Sequence, residues 1–231
     1  ISVIQQFENL PECVRLPEVR PYFESLKKKS FQLFLKRAFD IFAAAVVLII
    51  LSPVLLIAAL CVAIGSKGPV FYLQERVGKN GKPFKIIKFR TMIVNADKAG
   101  TQITVGGRDP RITRVGYVLR KTSVDELPQM INILKGDMSL VGTRPEVKKY
   151  VDEYTPEMMA TLLLRPGVTG SSSLKYSCEN EMLKDKQDPE RYYIEKILPD
   201  KMAINLEYTR DFSVALDLKI LCKTAVCVFK R

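Results

Sequence analysis

The 231-residue chain contains no histidine. Without imidazole there can be no Ser-His-Asp or Cys-His nucleophile pair and no histidine-bearing zinc site, because imidazole is the base or the ligand in each. Cysteine is sparse too: residues 13, 61, 178, 222 and 227 are odd in number, scattered and never spaced as CxxC. That pattern argues against a zinc ribbon or a disulfide framework and reads as reduced cytosolic thiols, with Cys61, Cys222 and Cys227 in apolar runs read as buried packing. No internal repeat is visible. A composition of 47% hydrophobic and 26% charged residues can fill a core, which rules out a disordered or collagen-like chain. Any catalysis must run on carboxylates, Lys, Arg, Tyr, Cys or a metal.

Charge is unevenly spread. Residues 1–64 carry 7 basic and 5 acidic groups, 65–121 carry 13 and 3, and 122–231 carry 16 and 17. The middle block therefore wants an anionic partner: nucleic acid, lipid headgroups or a phosphorylated small molecule. Just before it, Ile41 to Ile64 runs for 24 residues without a charge. At ~1.5 Å per residue this is about 36 Å, enough for a bilayer core if straight. Ser52-Pro53 sits at its middle, where proline removes a backbone hydrogen bond and kinks the helix. Basic residues flank both ends, Lys27 to Lys29 with Lys36 and Arg37 before, Lys67, Arg76, Lys79 and Lys82 after. A spanning helix is biased to one side, so this pattern favours a re-entrant segment over a spanning one. A cleavable signal peptide fits less well, because the run starts late, is too long and lacks a small-residue cleavage site. Lys36 and Arg37 are the candidate headgroup contacts.

Residues 1–34 read as a poorly regular leader or extension, 35–66 as an amphipathic approach and broken membrane helix, 67–212 as a cytoplasmic catalytic domain, and 213–231 as an amphipathic helix. For that last helix, core packing and an interfacial position on lipid both stand. Two β-leaning runs, 70–77 and 84–90, flank Asn80-Gly81 and predict a hairpin. Residues 95–110 read as loop. Short helices are predicted over 111–121, 126–134 and 156–164, an extended piece over 138–141, a Gly/Pro loop over 165–171, and helices over 189–210 and 213–229. The fold class is α+β and mostly helical.

Asp125-Glu126 follows a basic stretch and precedes a predicted helix. Ser123-Val-Asp-Glu126 is an S-x-x-E capping box, which offers a purely structural account of both acids. The functional account is that one carboxylate attacks phosphorus or holds Mg²⁺ while Arg120 neutralises phosphate oxygens. Lys88, Arg90, Arg144 and Arg165 complete the candidate phosphate-binding set. Lys88 and Arg90 read equally as the solvated face of a strand, and Arg165 as a loop brace.

These pieces occur in a telling order: Lys36-Arg-Ala-Phe-Asp40, the run broken at Ser52-Pro53, Gln74-Glu-Arg-Val-Gly78, Lys88-Phe-Arg-Thr-Met92, Asp109-Pro-Arg-Ile-Thr-Arg-Val-Gly116, Leu119 to Gln129, Asn132 to Gly142, Arg144-Pro145 and Arg165-Pro-Gly-Val-Thr-Gly170. The set resembles the bacterial sugar transferases, the monotopic polyprenyl-phosphate phosphoglycosyl transferases, over roughly residues 35–220. The resemblance implies a monotopic enzyme of the bacterial inner membrane with its site facing the cytoplasm. It implies transfer of a sugar 1-phosphate from a UDP-sugar to undecaprenyl phosphate, with release of UMP, at the start of surface-glycan or glycoconjugate assembly. It further implies that Asp125 forms a covalent phosphosugar intermediate, that Glu126 is its partner near Mg²⁺, and that Arg120 binds phosphate. One departure is visible: Thr143 stands where the family usually has the first proline of Pro-Arg-Pro.

Two rival readings follow from the same residues. A tethered nucleic-acid binder would need aromatics interleaved with the cations, and only Phe84 and Phe89 supply that, so no nucleic acid is expected. A degenerate scaffolding homologue has Thr143 as its only support. A homo-oligomer is left open, as are the sugar and the acceptor chain length.

Overall fold

The computed structural model describes residues 6–94, 96, 109–184 and 186–229. The segment before the apolar run is better ordered than its sequence suggests. Three 3₁₀ turns, Phe7–Asn9, Glu12–Val14 and Pro17–Val19, lead into α1 (Arg20–Lys28). Pro11, Pro17 and Pro21 stand at or beside the starts of these elements, where a missing N–H costs nothing. Leu10, Val14, Val19, Phe23 and Leu26 are buried in the main core with Tyr150, Leu162, Leu163, Met202 and Phe212. Residues 6–28 are thus part of that core, and the irregular leader expected there is corrected.

α2 (Ser30–Ile50) and α3 (Ser52–Gly65) meet at a 64° bend. The Ser52 hydroxyl donates to the Ile49 carbonyl at 2.8 Å, while Pro53 has no N–H to continue the ladder. Inside the bend, Ala44 packs with Ile86, Met130, Ile133 and Met138, and Ala58 and Val62 pack with Phe89 and Leu119. Outside it, Phe42, Ile49, Leu56, Ile57 and Ile64 are exposed, an apolar surface of the kind that meets lipid or a partner. Among the described residues no single helix is long and apolar enough to cross a membrane, and the bent pair meets the length and composition criteria only when its two helices are taken together.

Lys36 does not face headgroups. It is buried, donating to Asp217 Oδ2 at 2.6 Å and to the Val141 carbonyl at 2.8 Å. One turn on, Asp40 accepts the Leu140 N–H at 3.1 Å. These two positions lie on one helical face, so α2 turns that face to the protein rather than to lipid. Arg37, half-buried, points towards the Leu134 and Met138 carbonyls.

The predicted hairpin is present: β1 (Phe71–Val77) and β2 (Pro83–Phe89) pair antiparallel, with Leu73 opposite Ile87. Asn80 (φ 57°) and Gly81 (φ 76°) take the left-handed conformations that an Asn-Gly turn supplies. Most of the loop expected over 95–110 lies outside the described residues. α4 (Arg114–Lys121) is capped by the Thr113 hydroxyl accepting the Gly116 N–H at 2.9 Å. α5 (Gln129–Lys135) ends at Gly136. β3 (Ser139–Val141) leads to the four-residue α6 (Lys148–Val151). The helix expected over 156–164 is instead a 3₁₀ stretch, Met158–Leu163.

Part of the loop expected over 165–171 is a strand, β4 (Gly167–Thr169), parallel to β3. A Cβ on Gly167 would lie 2.1 Å from the Gly142 nitrogen, so the glycine is what lets these backbones meet. α7 (Ser171–Lys175), α8 (Glu179–Leu183) and α9 (Pro189–Tyr192) follow. A π turn at Tyr193–Ile197 joins α9 to α10 (Leu198–Asp211), and α11 (Val214–Phe229) closes the chain. α11 docks through buried Asp217 and Ile220 and through Thr224, whose hydroxyl bonds that of Thr169 at 2.8 Å. Leu218 and Val226 stay exposed. The result is mostly helical, with a small hairpin gripped by the bent helix pair.

Candidate active site

Asp125 and Glu126 lie in a 3₁₀ turn, Val124–Glu126, between α4 and α5. The turn is entered through Ser123 at φ 57°, ψ 15°, a left-handed conformation that costs a non-glycine residue about 1 kcal/mol or more. The capping box does not form. Ser123 makes no side-chain cap bond, and the Glu126 carboxylate is engaged elsewhere. Lys88 Nζ donates to Glu126 Oε1 at 2.9 Å, Arg144 Nη2 to the same oxygen at 2.5 Å and Arg144 Nη1 to Oε2 at 3.3 Å. Two cations outbid a backbone N–H because charge-assisted bonds are the stronger ones.

Asp125 is half-buried and makes no hydrogen bond among the described residues. Burial first, and then the neighbouring Glu126 charge, push its carboxyl up to about 6, against Lys88, Arg120 and Arg144. Glu126 goes the other way. Burial opposes its charge, but Arg144 and Lys88 outweigh burial and hold it well below the usual carboxylate range. Adjacent acids are thereby split into one locked anion and one unclamped carboxylate pushed up to about 6, a separation of the kind found where two acids have different tasks.

Arg120 comes from the last turn of α4, and its Nε donates to Thr91 Oγ1 at 3.0 Å. Burial lowers the guanidinium pKa while Asp125 and Asp109 counter that. Close approach of α4 to the 90–92 segment makes this reach possible: a Cβ on Gly116 would lie 2.0 Å from the Thr91 carbonyl oxygen.

The structure therefore brings Lys88, Arg120 and Arg144 to the acids, and places Arg90 and Arg165 elsewhere. Arg90 is buried, with Nη2 donating to the Ser66 carbonyl at 2.6 Å and hydroxyl at 2.7 Å, so it braces the exit of α3. Arg165 Nε donates to the Gly136 carbonyl at 2.8 Å, beyond the far end of α5. For Arg165 the loop-brace reading describes the contact seen.

Among the described residues no group of three or more His, Cys, Asp or Glu side chains could hold a metal. Of the two adjacent acids, Asp125 is the one whose carboxylate has no hydrogen-bond partner among the described residues. That suits Mg²⁺, which takes one or two carboxylates and draws its other ligands from phosphates and water. Glu126 would have to release a cation to join it.

A family model described as bacterial sugar transferase matches residues 31–231. The chain belongs to that family. It is 41% identical over 201 residues to the UDP-glucose:undecaprenyl-phosphate glucose-1-phosphate transferase of Escherichia coli strain K12, covering 85% of this chain and 40% of that protein. It is 38% identical over 205 residues to the UDP-N-acetylgalactosamine-undecaprenyl-phosphate N-acetylgalactosaminephosphotransferase of Aeromonas hydrophila, covering 87% and 45%. With the exopolysaccharide production protein PSS of Rhizobium leguminosarum it shares 39% over 206 residues, covering 86% and 97%. The chain thus spans less than half of the first two relatives and nearly all of the third.

Thr143, the departure from the usual family pattern, is buried beside Arg144. The freedom a threonine restores to φ is contained by its neighbours: Gly142 N donates to the Thr169 carbonyl and Gly167 N to the Thr143 carbonyl, both at 2.9 Å. Arg144 keeps its hold on Glu126.

Sequence reasoning missed the layer behind Arg144. Glu146 is buried and accepts from Tyr193 Oη at 2.8 Å and Lys201 Nζ at 3.2 Å. Arg76 Nη1 donates to the Pro145 carbonyl at 3.0 Å and lies 3.8 Å from Glu146 Oε2. The Gln74 to Gly78 motif contains Arg76, but nothing local in it points to partners 69 residues away.

Proposed function

We propose that this chain transfers a sugar 1-phosphate from a UDP-sugar to undecaprenyl phosphate, releasing UMP, as the first step of surface-polysaccharide or glycoconjugate synthesis. The observation that carries the reading is the unclamped Asp125 carboxylate beside a Glu126 locked by Lys88 and Arg144. A carboxylate oxygen of Asp125 attacks the phosphorus nearest the sugar. The bond from that phosphorus to the bridging oxygen breaks, and UMP leaves with the electron pair. An oxygen of undecaprenyl phosphate then attacks the same phosphorus and returns Asp125 as a free carboxylate. Arg120 faces the developing charge on the phosphoryl oxygens, and Lys88 and Arg144, if they shift from Glu126, supply two further cations. Asp125, with Glu126 adjacent, would be the residue to hold Mg²⁺, which when bound would supply neutralisation of diphosphate charge.

The bent α2–α3 pair is the anchor in this reading. It enters and leaves a bacterial inner membrane by the cytoplasmic leaflet, which puts the site where a lipid phosphate and a soluble nucleotide sugar can both arrive. The relatives named for glucose and for N-acetylgalactosamine transfer support the reaction class and leave the sugar to be measured.

UMP release from a panel of UDP-sugars, with Mg²⁺ in detergent, with and without undecaprenyl phosphate, tests the proposal. Sustained release that needs the lipid acceptor and vanishes in Asp125→Asn is expected. Full turnover by Asp125→Asn would remove the nucleophile's role. Labelling from the periplasmic side of a cysteine placed just after Gly65 would overturn the re-entrant anchor.

A further inference from the structure

Arg144 reaches Glu126 from a short loop, 142–147, and the side chains beneath that loop form a second charge system. Glu146 Oε1 takes bonds from Tyr193 Oη and Lys201 Nζ at 2.8 and 3.2 Å, and its backbone carbonyl takes the Val77 N–H at 2.9 Å. Lys201, with 4% of its surface exposed, also donates to Glu179 Oε2 at 3.1 Å and lies 2.9 Å from Tyr193 Oη. Arg76 bridges the Pro145 carbonyl to the Gln74 side chain.

A buried lysine and a buried glutamate are costly to desolvate, and their net contribution to stability is small or negative against apolar residues of the same size. Such a pair is better explained by geometry than by stability. The geometry here is specific. Glu146 is two residues from Arg144, and its charge, with that of Glu179, favours the charged Arg144 guanidinium after the larger effect of Glu126. The acid therefore balances the underside of a cation whose upper side grips the site.

We infer that Glu146 and Lys201 are positioning residues that fix the Arg144 loop and thereby the Arg144–Glu126 contact. The inference rests on the proposed reading of the site for its effect on turnover, and on the structure alone for its effect on that contact.

Two readouts separate these. The first is the coupling between Arg144 and Glu126, taken from thermal unfolding midpoints of the detergent-solubilised full chain with Arg144→Met, Glu126→Gln and both. The cycle is run in the parent, in Glu146→Gln and in the charge-free pair Glu146→Gln/Lys201→Met, so misfolding of one background leaves the other to decide. Coupling reduced to less than about half in either background supports the inference, and unchanged coupling overturns it. The second readout is UMP release. Glu146→Gln is expected to slow it about tenfold or more in the parent, and less than about twofold once Arg144 is already Met. Equal losses in both backgrounds would mean that Glu146 does not act through Arg144, and would overturn the inference. If wild type is silent across the sugar panel while coupling falls as expected, the positioning role stands and the proposed reaction fails.

Discussion

Lys88 on β2 and Arg144 on the loop after β3 donate to the same oxygen of Glu126, at 2.9 and 2.5 Å. One acid is held as an anion by two distant parts of the chain, and the acid before it has no hydrogen bond among the described residues. Glu126→Gln keeps the shape and removes the charge that both cations share. UMP release is expected to fall by ~10²-fold or more, with Glu126→Asp intermediate because it retains a charge on a shorter stem. Steady-state kinetics on the three proteins checks this.

Asp125 carries a stability cost that depends on pH. Its carboxyl is raised to about 6 in the fold from 3.8, so the folded state binds the proton more tightly than the unfolded chain. Stability falls as pH rises from about 4 to about 6 and stays reduced above that. Asp125→Asn should therefore raise the unfolding midpoint at pH 7.5, by an amount equivalent to ~1–2 kcal/mol after allowance for partial exposure. The gain should disappear near pH 4. Thermal unfolding at both pH values, in detergent without divalent cation, distinguishes this from a pH-independent effect.

The Lys36–Asp217 bond, 2.6 Å long and buried, ties α2 to α11. Lys36→Met leaves Asp217 with the Tyr208 hydroxyl, 2.7 Å away, as its remaining partner. Removing one half of a buried pair costs ~3–5 kcal/mol. Lys36→Met with Asp217→Leu should recover most of that loss in unfolding experiments. If instead Lys36→Met left stability intact and weakened binding to anionic vesicles, Lys36 would be a headgroup ligand after all.

Gly116 packs α4 onto the segment that leads out of β2. Gly116→Ala puts a methyl group 2.0 Å from the Thr91 carbonyl oxygen, so the helix must move. A loss of ~2 kcal/mol or more is expected, together with weaker activity, because Arg120 rides on the same helix. Activity falling with no change in protease resistance would point to a purely local shift.

The hairpin and the broken helix were legible because their signals are local: Asn80-Gly81 writes the turn and Ser52-Pro53 writes the bend. The acid pair was legible through its place in an ordered set of motifs. Ser123 and Glu126 misled, since a capping box in sequence says nothing of Lys88 and Arg144 competing for the same carboxylate. The β3–β4 pairing was hidden because strands of three residues give no period to read, and Gly142 and Gly167 approach only once the chain between them has folded. Arg90 and Arg165 share their chemistry with Arg120 and Arg144, so only the placement of Ser66 and Gly136 tells the two braces from the two arginines beside the acid pair. The first helical turns escaped because isolated 3₁₀ segments owe their form to Tyr150, Met202 and Phe212, far along the chain.

Ile86 on β2 packs against α2 and Phe89 against α3, with Lys88 between them. One strand is clasped by both arms of the bend. In the proposed anchor reading, with those arms seated in a bilayer, the cation that holds Glu126 would be carried by them at a set height above the acyl chains. In that reading the helix pair would act as a depth gauge as well as an anchor, presenting the acid pair near the level of a lipid-borne phosphate.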